Sequence, residues 1–472
     1  MKKTKIVATL GPASSDKETL RQMFLEGLNV CRLNFSHGSY ENHSHAIKLI
    51  RELNEETGLN VAILADLQGP KIRTNEMENN GVELISGKSI KIVTEKVIGN
   101  DKRFSINYVQ LPADVHPGER ILLDDGKIIL EVLKTDGEKE IDTIIVHGGI
   151  LSSKKGVNFP NTKISMPSLT VKDREDLEFA LEQNVDWVGL SFVRNARDII
   201  ELKHIISQKQ GKAKVVAKIE KPEALDDIDE IIKISDALMV ARGDLGVEIP
   251  YQSVPLIQKM IIKKCALHAK PVIVATQMME SMIKNLTPSR AEVNDVANAV
   301  LDGADAVMLS GETSVGDHPI EVIKTMSKIV TEMESFDGIY NKEEIPDKTQ
   351  DRFISDSICF NACRLAQRSE ADAIITMSFS GYTAYKIASQ RPKAPIYVFT
   401  KNPQILTQLN LVWGVKAFYY DKSISTDHSI ADIKHILKTK SLVQEGDLVI
   451  NLASIPLEEH GKSNMLKLSY IE

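Results

Sequence analysis

Short, nearly continuous apolar runs alternate along this chain with amphipathic stretches. The runs are Lys5–Leu10, Asn29–Phe35, Val61–Leu67, Asp186–Phe192, Lys214–Glu220, Asp236–Ala241, Pro271–Met278 and Asp305–Ser310. Helix-like segments lie between them at Asp16–Glu26, His43–Glu56, Asp173–Glu182, Asp198–Gln208, Ser253–His268 and Arg290–Asp302. Strands that are apolar on both faces and separated by helices indicate a parallel sheet covered on its outside. Eight such units predict a (β/α)8 TIM barrel. An open doubly wound sheet is the alternative on this pattern alone.

The alternation breaks after Leu67. From about Pro70 to Pro167 the pattern is β-rich, with runs such as Ser89–Val93 and Ile121–Leu130. Asp125-Gly126 between apolar runs is a hairpin signal. The reading is a small β-barrel lid domain inserted between the third barrel strand and its helix, placed over the mouth where the strands end. After Phe336 the chain turns polar and a second βα pattern begins. Its expected strands are Ala373–Met377, Ile396–Thr400, Val415–Tyr420, Leu448–Leu452 and Met465–Tyr470. The division is therefore 1–69 and 168–340 for the barrel, 70–167 for the lid, and 341–472 for a C-terminal α/β domain.

A chain of 472 residues is too long for one core, which agrees with this division. A net charge of −7 argues against a nucleic-acid binder or a polybasic membrane-surface protein. The four cysteines include Cys359 and Cys363 one helical turn apart, with no second pair for zinc, and read as reduced core thiols. The basic start Met1–Lys5 leads straight into a strand-like run, so it does not read as a secretory leader. No stretch of 18 apolar residues occurs. The expectation is a cytoplasmic protein with no membrane or nucleic-acid partner.

Lys218 and Glu220 share one face of a strand, because side chains at i and i+2 project together. Burying both charges is costly without partners. A structural ion pair is the simplest reading of this segment, but other strand ends change the balance. Thr9, Arg32, Asn34, Ser36, Asp66, Asp244, Thr276, Ser310 and Glu312 all fall at or just beyond such ends, and Arg73 follows the third. Barrel enzymes place their chemistry there. Glu220 and Asp244 suit Mg²⁺, which is usually held by one or two carboxylates, with substrate and water completing the shell. Lys218, Arg32 and Arg73 suit phosphoryl transfer, which needs positive charge around the equatorial oxygens. Gly243-Asp244, read as a turn before a loop and Gly246, offers backbone N–H groups to a carboxylate, and Thr276 a hydroxyl. No histidine–serine or histidine–cysteine dyad stands out, so covalent acyl chemistry is not expected. Gly461-Lys462-Ser463 resembles the end of a phosphate loop, but Pro456 occupies the position of its first glycine. His43 and His45 read as solvated or capping.

Taken together, the chain resembles the pyruvate kinase family over essentially its whole length. The resemblance rests on Thr4–Pro12, Arg32–Gly38, Gly69–Arg73, Lys155–Asn158, Lys218–Glu220, Met239–Gly246, Ala275–Met278 and Met308–Thr313, in that order. It implies a (β/α)8 barrel, an inserted lid, a C-terminal α/β domain, and transfer of a phosphoryl group from phosphoenolpyruvate to ADP, giving pyruvate and ATP. It implies Lys218 as the transition-state stabiliser, Glu220 and Asp244 as ligands of Mg²⁺ or Mn²⁺, and Arg32 on the substrate phosphate. Gly243, Asp244 and Thr276 would bind the enolpyruvate. Asn34, Ser36, His37, Arg73 and Lys155 match nucleotide-side positions. A homotetramer is implied as well.

One departure stands out. Potassium-dependent members resemble Asp-Thr-Lys-Gly-Pro-Glu where this chain reads Asp66-Leu67-Gln68-Gly69-Pro70-Lys71. The family's monovalent-cation site lies near Asn34, Ser36 and Asp66, and Leu67 and Lys71 resemble the potassium-independent pattern. A lysine there supplies a fixed charge, so K⁺ is not expected to be required. Ser378, Ser380, Gly381, Tyr382 and Thr383 resemble the family's effector loop for phosphorylated regulators, while the partner segment Pro456–Asn464 departs from the fructose-bisphosphate type. An ordinary capped helix is the alternative there. Two other classes are weighed: a Mg-dependent pyruvate-enolate lyase or aldolase, which does not need Arg32, Arg73 and Lys218 to converge, and a non-catalytic phospho-ligand-binding protein, which would not need to keep Lys218, Glu220 and Asp244.

Overall fold

In the computed structural model, which describes residues 2–160, 162–422, 425–455 and 462–472, the eight apolar runs close into a parallel barrel. Its strands are β1 (Lys5–Thr9), β2 (Val30–Asn34), β3 (Ala62–Asp66), β4 (Trp187–Leu190), β5 (Lys214–Ile219), β6 (Ala237–Ala241), β7 (Val272–Ala275) and β8 (Ala306–Leu309). Each pairs with its sequence neighbours, and β8 returns to β1. Val7, Leu64, Val216, Met239 and Ile273 fill the interior, while alternate residues pack under the helices. This two-sided burial is why the strands read as unbroken apolar runs.

Between β3 and the helix Val171–Glu182 the chain leaves the barrel. The insert forms a separate curled sheet of six strands and a two-stranded ribbon around its own core of Ile90, Phe104, Ile121, Leu130 and Ile141. Arg120–Leu123 and Ile128–Thr135 pair antiparallel across Asp124–Lys127, the hairpin signalled by Asp125-Gly126. The neck is closed by an Arg73–Gly156 bridge, with Val157 N–H donating to Ile72 O at 3.0 Å and Thr74 N–H to Lys155 O at 2.8 Å.

The C-terminal sheet contains β9 (Ala373–Met377), β10 (Ile396–Thr400), β11 (Val415–Tyr419), β12 (Leu448–Ala453) and β13 (Met465–Tyr470), in the order β11-β10-β9-β12-β13. All pairs are parallel except the last. Cys359 and Cys363 are buried free thiols on the helix Phe353–Ser369. This domain docks on the end of the barrel where the strands begin. Lys5 Nζ donates to Val415 O at 2.7 Å, Lys214 Nζ to Tyr385 Oη at 2.8 Å, and Arg391 pairs with Asp305 at 3.1 Å. Among the described residues no helix is long and apolar enough to cross a membrane.

Candidate active site

The opposite end of the barrel gathers charge. Asp66 closes β3, and register sets it beside Asn34 of β2 and Gly189 of β4. A side chain at Gly189 would begin 3.1 Å from Asp66 Oδ1, so glycine leaves the carboxylate its space. Arg32 Nε donates to Asp66 Oδ2 at 2.6 Å, and its Nη1 donates to Thr9 Oγ1 at 2.8 Å. Lys218 Nζ lies 3.1 Å from Asp66 Oδ1 and 3.0 Å from Glu220 Oε1, and donates to Ser191 Oγ at 2.6 Å. Ser191 in turn donates to Leu67 O at 2.7 Å. Lys218, Asp66 and Glu220 are 7%, 1% and 1% exposed, so all three charges are out of water.

Burial alone would lower the Lys218 pKa, but the Asp66 and Glu220 carboxylates outweigh it and hold the ammonium above its ordinary range. Burial likewise favours neutral Asp66, yet Lys218 and Arg32 keep it below the usual carboxylate value. Glu220 shifts upward: burial leads, Lys218 opposes, and the charges of Asp244 and Asp66 add to the rise. Phe192, with φ of +55°, points its N–H at Glu220 Oε2 across 2.7 Å. A positive φ at a bulky residue is costly and recurs at functional sites.

The segment expected as a turn and loop after β6 is instead one short helix, Arg242–Glu248. Gly243 and Gly246 suggested a break. Tertiary contacts override them: Gly243 N–H donates to Thr276 Oγ1 at 2.8 Å, and a Cβ at Gly243 would stand 3.1 Å from that same oxygen, a tight approach. Thr276 and Gln277 hold φ of +70° and +55°. Arg242 fastens this bend, donating from Nη2 to Thr276 O at 2.8 Å while pairing with Asp295 at 2.6 Å. Glu312 accepts from Ser310 N–H at 2.7 Å and Met279 N–H at 3.2 Å, tying the last two strand ends together.

Asp244 lies in the first turn of that helix, and Lys71 Nζ stands 3.8 Å from its Oδ1. Lys71 thus has Asp244 as its ion partner, while the charge of Asp66 is taken by Arg32 and Lys218. Glu220 and Asp244 offer hard oxygen donors. Among the described residues no group of three or more His, Cys, Asp or Glu could hold a metal alone. A divalent cation on these two carboxylates would draw its other ligands from substrate and water, which suits Mg²⁺ or Mn²⁺.

Of the residues expected to take the nucleotide, Asn34 and His37 line an open cavity of about 610 Å³ with Thr9, Pro12, Asn42 and His43. Ser36 N–H donates to Asn34 Oδ1 at 3.1 Å. His43 is not simply solvated: it stacks on Phe35 at 4.4 Å and bonds His37 O at 3.1 Å, while His45 is exposed. Arg73 and Lys155 stay within the lid, Arg73 Nη1 donating to Lys154 O at 3.0 Å and Lys155 pairing with Asp124 at 2.9 Å. In the C-terminal domain, Ser378, Ser380 and Thr383 line a pocket of about 310 Å³ with Arg352, Lys401 and Lys462. Ser378 Oγ accepts from Gly381 N–H at 3.0 Å, Tyr382 Oη donates to Asp356 Oδ1 at 2.7 Å, and Thr383 Oγ1 meets Ser463 Oγ at 3.0 Å. Of the partner segment Pro456–Asn464, residues 456–461 lie outside the described residues, as does the false phosphate loop's Gly461.

Sequence reasoning passed over Ser191, Phe192, Arg242 and Asp295. The first two fall at the end of the fourth apolar run and were legible as a strand end. The Arg242–Asp295 pair spans two strand–helix units, and nothing local marks it.

The family model described as the pyruvate kinase barrel domain matches residues 1–323, and that of the pyruvate kinase alpha/beta domain matches 356–469. The pyruvate kinase of Geobacillus stearothermophilus is 44% identical over 478 residues, covering all of this chain and 80% of that relative. That of Clostridium acetobutylicum is 42% identical over 477 residues and is covered completely by the match, as is this chain. Among solved structures, a pyruvate kinase from Cryptosporidium parvum superposes with a TM-score of 0.93 at 35% identity, covering 100% of this chain and 96% of its own. With both family domains present in order and relatives matched along the full length, the chain belongs to the pyruvate kinase family.

Proposed function

We infer that the family's reaction, phosphoryl transfer from phosphoenolpyruvate to ADP, takes place at this mouth with Lys218 as its central group. The observation that carries the assignment is the buried Lys218 ammonium, held charged between Asp66 and Glu220. A fixed cation in a dry site stabilises charge spread over the equatorial phosphoryl oxygens without having to reorganise. Arg32, oriented by Asp66 and Thr9, contacts the substrate phosphate. Gly243, Asp244 and Thr276 hold the enolpyruvate, and Thr276 stands where the enolate carbon is protonated. Asn34, Ser36, His37, Arg73 and Lys155 take the nucleotide, the last two carried in by the lid. A divalent cation on Glu220 and Asp244 would neutralise oxygen charge during transfer.

The test is ADP-dependent pyruvate formation, coupled to NADH oxidation, in wild type and Lys218→Met. The variant should lose about a thousandfold in kcat with little change in the KM for phosphoenolpyruvate. A loss under tenfold would remove Lys218 from its role.

The pattern at Leu67 and Lys71 supports activity without K⁺, Lys71 providing the fixed charge. The C-terminal pocket supports a phosphorylated effector held by Ser378, Ser380, Gly381, Tyr382 and Thr383, since hydroxyls and the cations Arg352, Lys401 and Lys462 share its lining. Titrating sugar phosphates and nucleoside monophosphates should shift half-saturation for phosphoenolpyruvate, and silence to all of them would leave a capped helix only. We also take the chain to divide at 69/70, 167/168 and 340/341, to form a homotetramer, and to work in the cytoplasm.

A further inference from the structure

Glu248 has no assigned role, yet it touches three parts of the machinery. It ends the helix Arg242–Glu248, four residues beyond Asp244 and so on the same helix face. Its Oε1 accepts from Lys221 Nζ at 2.6 Å and from Asn158 Nδ2 at 2.8 Å. Lys221 directly follows Glu220. Asn158 belongs to the lid strand Val157–Asn158, which pairs with Arg120–Leu123. The Glu248 side chain is 1% exposed and that of Lys221 15%. Its second oxygen, Oε2, is buried without a hydrogen-bond partner among the described residues. Glu248 also lines a cavity of about 40 Å³ at the seam of lid and barrel, with Lys71, Asp125, Phe192 and Asp244. That is room for a water molecule. A second fastening lies nearby: Arg194 donates to Ile164 O and Met166 O at 3.0 Å each, and to Ser168 Oγ at 3.0 Å.

We propose that Glu248 is a positioning residue that latches the lid to the metal site, so that seating of the lid and the spacing of Glu220 and Asp244 change together. One carboxylate oxygen holds the residue after Glu220 and a lid residue at once, from the helix that carries Asp244. A charge-assisted bond to a buried carboxylate is short and directional. When the lid swings out, Asn158 leaves and Lys221 becomes the sole partner of a buried anion. The pair is then free to shift, and the two metal-binding carboxylates shift with it. The proposal rests on reading Glu220 and Asp244 as the metal pair.

The experiment measures Mn²⁺ binding to the substrate-free protein by electron paramagnetic resonance, together with amide hydrogen exchange at Val157–Phe159. The proteins are wild type, Glu248→Gln, Asn158→Ala, Lys221→Met and the control Glu220→Gln. Glu248→Gln should raise the Mn²⁺ dissociation constant about tenfold, the scale of a lost supporting contact to a metal ligand. It should also speed exchange at Val157–Phe159. Asn158→Ala, which keeps the buried ion pair and hence the fold, should speed the same exchange and raise the constant less. Charge alone predicts opposite signs: removing the anion Glu248 would weaken Mn²⁺ and removing the cation Lys221 would tighten it. Positioning predicts weaker binding in both. Tighter binding in Lys221→Met, or unchanged Mn²⁺ affinity and exchange in Glu248→Gln and Asn158→Ala, even alongside a lower Tm, overturns the latch. Unchanged affinity in Glu220→Gln overturns the metal pair itself.

Discussion

Both ends of the barrel bury lysines, and the two ends treat them in opposite ways. At the mouth, Lys218 meets two carboxylates and is held charged. At the base, Lys5 is 4% exposed and donates to a backbone carbonyl, Val415 O. Burial there lowers its pKa to about 8, Glu334 opposing only in part. Lys3, whose Nζ bonds Pro392 O and lies over the Tyr340 ring, also falls to about 8, and Lys2 to about 7, burial leading in each case. Desolvation opposes the charge in all of them, so the partner decides the outcome. A full negative charge offsets desolvation, and a carbonyl dipole does not. The mouth is therefore built to keep its cation through the neutral range, and the base is built to seat the C-terminal domain.

The largest expected contrast comes from breaking the charge pairing at the mouth. Asp66→Asn leaves Lys218 and Arg32 sharing one carboxylate fewer in a dry site. It should destabilise the fold by about 3–5 kcal/mol in urea titrations and reduce kcat at least about a hundredfold. A loss below about 1 kcal/mol with activity retained would mean that the pairing does not set the state of Lys218.

A smaller effect concerns whether the mouth is complete in charge. With Lys71 in place, rates in potassium and tetramethylammonium salts of equal ionic strength should agree. A drop beyond about tenfold, over about 1.4 kcal/mol of barrier, would show that K⁺ is needed. The smallest effect lies at the base, in Lys5→Met. Lys5 titrates at about 8 in the folded protein, against the ordinary lysine value of 10.5 once unfolded. Between those values the unfolded chain binds the proton and the folded chain does not, so wild-type stability rises with pH across that window. Urea midpoints at about pH 7 and about pH 9.5 should show wild type gaining on Lys5→Met at the higher pH. A gap that stays constant would place Lys5 in water.

The strands were legible because a barrel strand is apolar on both faces, and the C-terminal strands because they are enclosed by helices. Val415–Tyr420 was expected and Val415–Tyr419 is found. The strand-end charges were legible as a set. Their pairing was not, since Asp66 finds Lys218 and Arg32 only through barrel closure and register. The helix Arg242–Glu248 was hidden by its two glycines, whose local preference yields to contacts with Thr276. The basic start of the chain drew notice only as a possible leader. Nothing local shows that Lys3 and Lys5 are buried by a domain more than three hundred residues away in sequence.

The closed neck of the insert bears on how the chain finds its fold. Pairing of β3 with β4 joins Leu64 to Trp187, contacts far apart in sequence. Closing a floppy loop of that length would slow assembly. The bridge between Arg73 and Gly156, flanked by the bonds of Ile72 with Val157 and Thr74 with Lys155, turns the excursion into a clip with adjacent ends. Once the insert has condensed on its own core, what separates β3 from β4 is the short stretch 67–71 on one side of that clip and the segment 158–186, with its helix Val171–Glu182, on the other. During synthesis the insert emerges before β4, so the nascent chain can shorten its own longest early search before the barrel begins to close.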